Sequence, residues 1–318
     1  MPKTVLVTGS AGFIGFHVSQ ALLKRGDAVI GVDNFNDYYD QRLKEDRNAI
    51  LEEHKNYTLF RSDIRDKNTL ESIFRRNGID IICHLAAQAG ARYSLKHPGE
   101  YIQSNIEGTV NMLEAARTHT IKDVVYASSS SVYGSNPIPW NEDQAVDHPL
   151  NPYGASKRAI ELLAYTYHHL YGLNMTGLRF FTVYGPWGRP DMAYFKWADL
   201  ITHNKPIDVY NNGKMKRDFT YIDDIISGVL AAIDNPKPYE LYNLGNSHCE
   251  ELGRFIELIE GYLGKKAEKN LMPMQPGDFL ESYADTAKAK KNLAFEAKVG
   301  IDEGLKKFVD WYKEYYKH

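Results

Sequence analysis

Three side chains in the middle of the chain have the types and the spacing needed for proton transfer. Tyr153 and Lys157 are four residues apart, so on a helix they share one face, and Ser129 precedes them in a run of four serines. An ammonium group beside a phenol favours the phenolate and lowers the phenol pKa from about 10 towards neutrality. Such a phenol can exchange a proton with a hydroxyl group while a hydride leaves the same carbon. We therefore predict Tyr153, Lys157 and Ser129 as catalytic residues.

A glycine-rich turn near the start of the chain is suited to a dinucleotide. The apolar run 5–8 leads into three glycines at the spacing GxxGxxG, followed by an apolar-periodic segment that predicts a helix. These glycines permit a tight turn, let the backbone approach a pyrophosphate and allow the helix to pack closely on the strand. The pyrophosphate would lie against free amide groups at the positive end of the helix. The predicted contacts are Gly9, Gly12, Phe13, Ile14 and Gly15.

Further cofactor contacts are predicted where strands end, because open α/β sheets bind ligands at the carboxyl ends of their strands. Asp33 ends the second strand, where its carboxylate can accept from adenosine ribose hydroxyls. Its charge would repel a 2′-phosphate, which favours NAD over NADP. Asp63 is predicted to bond the adenine amino group and Ile64 to cover the ring. The full set at these strand ends is Asp33, Asn34, Asp63, Ile64, Leu85, Ala86 and Ala87.

The elements that position these residues follow an alternating pattern. Short β-rich runs at 3–8, 28–32, 58–61, 79–85, 123–128 and 175–181 alternate with helical stretches at 13–25, 68–77, 99–118 and 152–171. Strands separated by helices predict a parallel sheet with helices on both faces. Asn151 as N-cap and Pro152 at the first helical position mark the start of the helix that carries Tyr153.

The predicted fold class is α/β, a Rossmann-type doubly wound parallel sheet with a smaller, partly discontinuous C-terminal substrate domain. Beyond residue 181 prolines interrupt the pattern. We expect residues 1–181 to form the NAD-binding domain and 182–318 mainly the substrate-binding domain. The segment 217–245 is expected to return to the first domain, because 219–222 and 241–244 have the character of added strands. An amphipathic helix over 302–316 should pack on the smaller domain.

The bulk composition excludes several classes of function. The chain has 318 residues, 43% hydrophobic and 25% charged, with a net charge of −3, which is ordinary for a globular protein and gives no reason to expect nucleic acid or a membrane surface as a partner. No apolar run is long enough to span a bilayer, and the start lacks a signal peptide. Two cysteines give no disulfide framework, so we expect a cytoplasmic protein. His84 lacks a second ligand at metal spacing, and no metal is predicted.

With the glycine-rich turn, Asp33, Ser129, Tyr153 and Lys157 in this order, the chain resembles the extended short-chain dehydrogenase/reductase family over essentially its whole length. The resemblance implies that Ser129 hydrogen-bonds the reacting hydroxyl and that Tyr153 is the acid/base. It implies that Lys157 binds the nicotinamide ribose of NAD and lowers the tyrosine pKa. Asn105 matches the helix asparagine that lies behind the active site in this family.

The C-terminal half resembles the nucleotide-sugar branch of that family. Thr182 matches a position that touches the substrate, and Arg217 resembles the residue that binds the diphosphate of a UDP-sugar, a role that suits forked guanidinium donors. Asp278 resembles the position that bonds the uridine ribose. The resemblance also implies a homodimer, in which the helices at 99–118 and 152–171 pair with those of a second subunit.

Three reactions of this branch share a first step, oxidation of the sugar at C4 by bound NAD. The 4,6-dehydratases place an Asp-Glu pair after the active-site threonine, and the decarboxylases carry a glutamate close to this point. Here those positions are Ser130 and Ser131, which favours the simplest outcome, 4-epimerisation. The stretches 33–39, 183–196 and 274–278 closely resemble the enzymes that convert UDP-glucuronate to UDP-galacturonate.

A uronic acid oxidised at C4 is a β-keto acid, which loses carbon dioxide if its carboxylate bond aligns with the ketone π-system. Hydroxyls of Ser129, Ser130, Ser131 and Thr182 could hold that carboxylate out of alignment without supplying an acid. Arg189 is the candidate for its negative charge. The alternatives are a 4-epimerase of UDP-glucose or UDP-N-acetylglucosamine, a UDP-glucuronate decarboxylase and a net dehydrogenase. A non-catalytic NAD-binding scaffold ranks last, because neither the tyrosine nor the lysine is missing.

Overall fold

The computed structural model describes residues 2–274 and 280–317. Asp278, the predicted contact of the uridine ribose, lies outside these residues. In chain order the strands are β1 (Thr4–Thr8), β2 (Ala28–Asp33), β3 (Tyr57–Arg61), β4 (Ile81–His84), β5 (Asp123–Ser129), β6 (Asn174–Phe180), β7 (Thr182–Tyr184), β8 (Ile207–Tyr210), β9 (Lys216–Arg217), β10 (Phe219–Tyr221), β11 (Tyr239–Leu244), β12 (Glu250–Glu251), β13 (Lys269–Met272) and β14 (Glu281–Ser282).

The helices alternate with these strands and fall into long and single-turn types. The α-helices are α1 (Phe13–Lys24), α2 (Arg42–Glu52), α3 (Lys67–Arg76), α4 (Ala91–Ser94), α5 (Pro98–Tyr101), α6 (Gly108–Thr118), α7 (Pro152–Tyr171), α8 (Ala193–Thr202), α9 (Ile222–Asp234), α10 (Leu252–Leu263), α11 (Ala287–Leu293) and α12 (Ile301–Tyr316). A π-helix joins α5 to α6 (Ile102–Glu107), and a 3₁₀ turn follows β5 (Ser130–Tyr133).

Seven strands form one parallel sheet in the order β11-β6-β5-β4-β1-β2-β3. The chain runs outwards from β1 in one direction and then returns to build the other half, so the sheet is doubly wound, and the predicted Rossmann-type fold is confirmed. Helices cover both faces, which is why the strands are continuously apolar rather than alternating. Val5 and Leu6 of β1 show this, because both are fully buried although they point to opposite faces.

Two apolar layers hold the helices to the sheet. On one face Val5 belongs to a cluster with Phe16 of α1 and Ile225 of α9. On the other face Leu6 belongs to a cluster with Leu113 of α6. Burial of apolar side chains stabilises the fold by about 25 cal/mol for each Å² of surface removed from water. The two layers therefore give the carboxyl edge of the sheet a rigid base.

The smaller lobe is built from short sheets and an aromatic cluster. Strand β8 pairs with β13, and β9 lies between β12 and β14. Tyr194 and Phe195 of α8 pack against Phe308 of α12, and α12 also contacts α10. The last helix therefore packs on this lobe, as its amphipathic pattern predicts.

Three features differ from the prediction. Strand β10 (219–221) does not join the main sheet, because it pairs in parallel with β7, the short continuation of the chain beyond β6, with Phe219 opposite Thr182. The stretch 99–118 is three helical pieces rather than one. Helix α2 was not predicted, since its buried face contains Lys44 and Arg47.

Among the described residues, no helix combines the length and the apolar character that crossing a membrane would require.

Candidate active site

The turn between β1 and α1 has the shape required for a pyrophosphate. Gly9 has a positive φ of 72° and donates its amide to Val32 O at 2.7 Å. A Cβ on Gly9 would lie 3.0 Å from the backbone of Ala86, and a Cβ on Gly15 would collide with the Gly9 carbonyl. No side chain caps the helix at Gly12, so the amides of the first turn of α1 are available to an anion. The turn therefore fits the dinucleotide NAD.

Asp33 is fixed at the end of β2 beside this turn. Its Oδ2 accepts from Ala11 N at 3.1 Å and its Oδ1 from Phe35 N at 2.8 Å. The ammonium group of Lys44 lies 3.8 Å from the carboxylate, and both side chains are buried. Burial lowers the pKa of Lys44, and the attraction of Asp33 opposes that shift. The carboxylate is thus oriented by backbone amides at the position predicted for the adenosine ribose.

Asp63 lies at the end of β3, beside a cavity of about 240 Å³ lined by Asn34 and Arg65. Its carboxylate accepts from the Arg65 guanidinium at 2.9 Å and from Asn34 Nδ2 at 2.8 Å. Burial alone would raise the pKa of Asp63, but hydrogen bonds from Arg65 and Asn34 hold it below its usual range. The side chain of Ile64 is buried against Gly108. Their contacts with an adenine ring remain predictions.

The end of β4 packs directly beneath the glycine-rich turn. Thr8 Oγ1 accepts from Leu85 N at 3.2 Å and from Ala86 N at 3.1 Å. These bonds hold the backbone of residues 85–87 against Gly9, where a larger turn residue would not fit. The small residues at this strand end therefore lie at the predicted wall of the cofactor site.

His84 is a structural residue under this wall. Its Nδ1 is 2.8 Å from Thr8 Oγ1 and its Nε2 is 3.0 Å from Thr109 Oγ1. Burial lowers the pKa of His84 to about 3, and the charge of Lys157 adds to the shift, so the imidazole is neutral at pH 7. Among the described residues no three His, Cys, Asp or Glu side chains come together as a metal site.

The predicted catalytic residues meet where β5 ends and α7 begins. Asn151 caps α7 by accepting from Gly154 N at 2.9 Å, as predicted. Lys157 is buried, with Nζ donating to Ala127 O at 2.8 Å and lying 6.0 Å from the centroid of the Tyr153 ring. Ser129, the last residue of β5, lies close enough to the Tyr153 phenol to lower its pKa. The fold therefore brings all three side chains together.

The charge state of the phenol differs from the prediction. Burial raises the pKa of Tyr153 above its usual value, and the nearby Ser129 hydroxyl and the charge of Arg189 act in the opposite direction. Lys157 is not among the groups that shift it. Burial lowers the pKa of Lys157 to about 8, against the attraction of Glu161. The ammonium group is directed to the Ala127 carbonyl rather than to the phenol oxygen, which explains the difference.

Asn105 links the π-helix to the catalytic helix. Its Oδ1 accepts from Gln88 N at 2.7 Å, and its Nδ2 donates to Gln88 O at 3.0 Å and to Ser156 Oγ at 2.9 Å. Ser156 Oγ in turn donates to Tyr153 O at 2.8 Å. Asn105 thus lies behind the site, and its amide braces the first turn of α7.

A buried ion pair that the sequence did not reveal anchors the same helix. Both oxygens of Glu161 accept from the Arg179 guanidinium, at 2.8 and 3.0 Å, and both side chains are at most 1% exposed. Ser128 Oγ donates to Glu161 at 2.6 Å. The residue next to Ser129 is therefore bound to the helix one turn beyond Lys157. No sequence spacing predicts this contact, because Glu161 and Arg179 are 18 residues apart on a helix and a strand.

The residues predicted to bind the sugar nucleotide lie in three places: at and after the end of β5, at the start of β7 and in β9. Ser131 N donates to Ser129 Oγ at 3.1 Å, and the side chains of Ser130 and Ser131 are partly exposed. Thr182 begins β7, and its amide donates to Asp218 O at 3.1 Å. Arg217 lies farther along in β9, where Nη1 donates to Lys216 O at 2.8 Å.

Residues 185–191, which we call the Arg189 loop, bring a partly buried cation to the site. Arg189 donates Nε and Nη2 to the two oxygens of Asp191, at 3.0 and 2.5 Å. The hydroxyl of Tyr38 donates to Asp191 Oδ2 at 3.2 Å. Burial alone would raise the pKa of Asp191, but Arg189 holds it below its usual range. Arg189 and Tyr153 are close enough for each charge to act on the other.

Asp218 is a buried anchor of the smaller lobe that was also missed. Its carboxylate accepts from the amides of Asn246, Ser247 and Ala284 at 2.7 to 3.1 Å, and from Thr220 Oγ1 at 2.9 Å. Burial raises the pKa of Asp218 to about 6, against these hydrogen bonds. One carboxylate thus joins β10, β14 and the end of β11, next to Arg217.

Comparisons with known proteins agree with this geometry. The UDP-glucuronate 4-epimerase of Thermodesulfobacterium geofontis is 46% identical over 310 residues, 97% of this chain and 96% of that protein. The crystal structure of the UDP-glucuronic acid 4-epimerase from Bacillus cereus, in complex with UDP-glucuronic acid and NAD, matches with a TM-score of 0.93 at 36% identity, covering 98% and 100% of the chains. A UDP-glucose 4-epimerase from Thermotoga maritima matches with a TM-score of 0.90 at 29% identity, covering 98% and 99%.

The family model for NAD dependent epimerases and dehydratases matches residues 5–245, from the first strand of the sheet to the residue after its last. The match includes the glycine-rich turn, the serine run and the Tyr153–Lys157 pair. The resemblance to extended short-chain dehydrogenases/reductases is thereby confirmed. This chain belongs to the NAD dependent epimerase/dehydratase family.

Proposed function

We propose that this protein is an NAD-dependent UDP-glucuronate 4-epimerase, which interconverts UDP-glucuronate and UDP-galacturonate through a 4-keto intermediate. The observation that carries the proposal is the arrangement of Ser129, Tyr153 and Lys157 where β5 ends and α7 begins, with the partly buried cation of Arg189 near enough to lower the phenol pKa. The phenol provides a proton-transferring group, and the guanidinium provides a partner for a uronate carboxylate. The activity of the similar proteins in Thermodesulfobacterium geofontis and Bacillus cereus supports the same assignment.

We assign the proton transfer to Tyr153. Although burial disfavours it, the phenolate is the form that accepts the proton of the sugar 4-hydroxyl while the C4 hydride leaves, and the phenol gives the proton back when the ketone is reduced on its other face. Bound NAD supplies the acceptor and donor of that hydride. Ser129 and Arg189 favour the phenolate against the effect of burial. Lys157, held at the Ala127 carbonyl, is assigned to the nicotinamide ribose.

The residues after β5 support epimerisation over the other reactions of this branch. Ser130 and Ser131 carry no carboxylic acid for a leaving water, which disfavours dehydration. Their hydroxyls, with those of Ser129 and Thr182, can donate to the sugar carboxylate without transferring a proton in the manner of an acid. Arg189 can balance its charge. Together these groups are assigned to keep the carboxylate bond out of line with the C4 ketone.

We further propose a division of labour along the chain. Residues 1–181, with α9 and β11 of the predicted returning segment 217–245, bind NAD, and residues 182–318 mainly bind the UDP-sugar. The addition of β11 to the main sheet supports the first part. The position of Arg217, between β12 and β14 in the smaller lobe, supports its assignment to the diphosphate.

We also propose that two copies of the chain pair through α7 and the helices beside it. Ile102, Leu162 and Leu170 are each more than half exposed, at 56%, 54% and 59%, and an apolar surface of this kind indicates a protein interface. Leu162→Glu should convert the dimer to a monomer in light scattering; a wild-type monomer would contradict the proposal. We assign the protein to the cytoplasm, a location that its two free cysteines support.

The activity is tested by incubating the purified protein with NAD and each candidate sugar nucleotide, followed by chromatographic separation of the products. We expect UDP-glucuronate and UDP-galacturonate to interconvert, and UDP-glucose and UDP-N-acetylglucosamine to react much more slowly. Absorbance near 340 nm should not grow steadily, because the hydride returns to the sugar in each turnover. Steady growth would identify a net dehydrogenase.

The second candidate is a 4-epimerase of neutral UDP-sugars. The structural match to the Thermotoga maritima UDP-glucose 4-epimerase favours it, since the two folds agree over almost their whole length. Equal or faster turnover of UDP-glucose would establish this candidate. Release of carbon dioxide by the wild type would instead identify a decarboxylase.

A further inference from the structure

We propose that Tyr38 and Asp191 are positioning residues that fix the orientation of Arg189 and thereby decide whether the keto intermediate keeps its carboxylate. The proposal rests on the proposed function and assigns it two further residues. Neither side chain takes part in the proton or hydride transfer. Their role is to hold the guanidinium that holds the substrate.

The hydrogen bonds around Arg189 use only one edge of its fork. Nε and Nη2 donate to the two oxygens of Asp191, which is a bidentate arrangement with a defined plane. Within the described part of the chain, Nη1 makes no hydrogen bond with another residue. One edge is therefore occupied by the protein, and donors at the other edge are available to an anionic substrate group.

Tyr38 fixes the carboxylate in its turn. Its hydroxyl donates to Asp191 Oδ2, the oxygen that also accepts from Arg189 Nη2. Tyr38 comes from the segment between β2 and α2, about 150 residues earlier in the chain, so the ion pair cannot turn without breaking a contact between two distant segments. A guanidinium with a flexible aliphatic stem would otherwise lose side-chain entropy on binding the substrate.

The backbone of the Arg189 loop is held by Arg47, which, like Tyr38, comes from the part of the chain that follows β2. Arg47 of α2 is fully buried and donates to Trp187 O at 2.5 Å and to Gly188 O at 2.9 Å, the two carbonyls directly before Arg189. It also donates to Ala11 O at 3.0 Å in the glycine-rich turn. Trp187 has a positive φ of 57°, a conformation that a non-glycine residue keeps only where its surroundings determine it.

The chemistry explains why a fixed cation matters for the product. In the 4-keto intermediate the bond between C5 and the carboxylate carbon can break, with its electron pair moving into the C4 carbonyl as an enolate. Carbon dioxide then leaves, and C5 takes a proton from solvent. This step requires the breaking bond to lie parallel to the ketone π-orbital. A guanidinium of fixed orientation holds the carboxylate away from that alignment, whereas a mobile guanidinium lets the carboxylate rotate into it.

The test compares product choice in Asp191→Asn and Tyr38→Phe with wild type, using NAD and UDP-glucuronate and separating UDP-uronates from UDP-pentoses by liquid chromatography and mass spectrometry. We expect the ratio of decarboxylated to epimerised product to rise by about ten- to a hundredfold in Asp191→Asn, the effect of losing a charge-assisted hydrogen bond. Tyr38→Phe should shift the ratio in the same direction by a smaller factor. A structural defect alone would slow both products and leave their ratio unchanged.

Matched controls come from an exposed aspartate–arginine pair between α10 and α12 in the smaller lobe. Arg254 donates to Asp302 at 3.0 Å, and Tyr262 donates its hydroxyl to Asp302 O. Asp302→Asn and Tyr262→Phe remove the same groups as the test variants and should keep the wild-type product ratio.

The outcomes separate this proposal from the one on which it rests. Failure of wild type to epimerise UDP-glucuronate overturns the proposed function. Normal wild-type epimerisation with an unchanged product ratio in Tyr38→Phe overturns the positioning role, and this conservative variant decides the question if Asp191→Asn does not fold by circular dichroism.

Discussion

Helix α7 and the Arg189 loop each bring a cation to the reacting edge of the sheet, but the two are held in different ways. Tyr153 and Lys157 come from one helical turn, and the helix starts at its own cap. Arg189 is held by Asp191, and Asp191 in turn accepts from Tyr38, a contact that forms only because two distant segments pack. Groups that transfer protons can therefore be recognised by spacing. Groups that recognise a substrate charge depend on long-range contacts.

The two regions also differ in how their buried arginines are paired. Under α7, Arg179 is bound by the charged carboxylate of Glu161. Beside the Arg189 loop, Arg47 donates to backbone carbonyls and to the Tyr39 hydroxyl. Breaking an ion pair leaves a charge unpaired in the interior, whereas loss of Arg47 leaves neutral acceptors unsatisfied. Breaking the contact beneath the catalytic helix should therefore cost more stability than breaking the contacts of Arg47.

The largest expected effect lies on the catalytic helix. Tyr153→Phe keeps the aromatic packing but removes the phenol oxygen, so we expect epimerisation to fall by about 10²- to 10⁴-fold, the usual contribution of a general acid–base group. The NAD content of the purified variant should equal that of wild type, and the product ratio should not shift towards UDP-pentose. Turnover of UDP-glucuronate, measured by chromatography, checks the prediction. Activity close to that of wild type would show that another base operates.

The next effect concerns the ion pair beneath that helix. Glu161→Ala leaves Arg179 buried without its partner, so we expect a loss of about 3 to 5 kcal/mol in the free energy of unfolding. Urea unfolding followed by circular dichroism measures this loss.

The exposed pair of Glu303 and Lys307 on α12 provides the control for Glu161→Ala. Glu303→Ala should cost at most about 0.5 kcal/mol, as is usual for an exposed pair. Similar losses in the two variants would show that the buried pair does not brace α7.

A third effect depends on pH. The pKa of His84 in the folded protein is about 3 and that of His17 about 4, both lowered by burial. Both values lie below the unfolded value of about 6.5, so between these pH values the unfolded chain binds more protons than the folded protein. The free energy of unfolding therefore falls as the pH drops from about 6.5 towards the folded pKa values. His84 alone should account for about 2 kcal/mol between pH 7 and pH 5.

Unfolding curves of wild type, His84→Asn and His17→Asn at pH 7 and pH 5 test this prediction and compare the two regions. His84 lies under the cofactor wall, whereas His17 contacts Pro186 in the Arg189 loop at 3.0 Å. Each variant should reduce the loss of stability on acidification. An unchanged pH dependence in His84→Asn would contradict the assignment of a neutral buried imidazole.

The smallest effect distinguishes two glycines. A Cβ at Gly15 collides with the Gly9 carbonyl, so Gly15→Ala must move the turn, and we expect NAD to bind about tenfold more weakly. A Cβ at Gly99 meets no atom within 4 Å, so Gly99→Ala should leave NAD affinity unchanged. Titration of NAD followed by calorimetry measures both. Equal affinities in the two variants would mean that the turn does not hold the cofactor.

Much of the main sheet was predictable, because buried parallel strands separated by helices leave a strong apolar pattern. Helix α2 was missed for a physical reason: Lys44 and Arg47 occupy its buried face, where Asp33, Asn36 and backbone carbonyls satisfy them. The pieces of 99–118 were missed as well, since the π-turn that directs Asn105 towards Gln88 has no signature in hydrophobic periodicity.

The glycine-rich turn, the capped start of α7 and the shared helix face of Tyr153 and Lys157 follow from local sequence, because helical periodicity places such side chains together wherever the helix lies. Long-range packing sets the pKa direction of Tyr153, the pairing of Glu161 with Arg179 and the contact of Tyr38 with Asp191. Those properties depend on burial and on contacts between separate segments, and neither exists until those segments have packed.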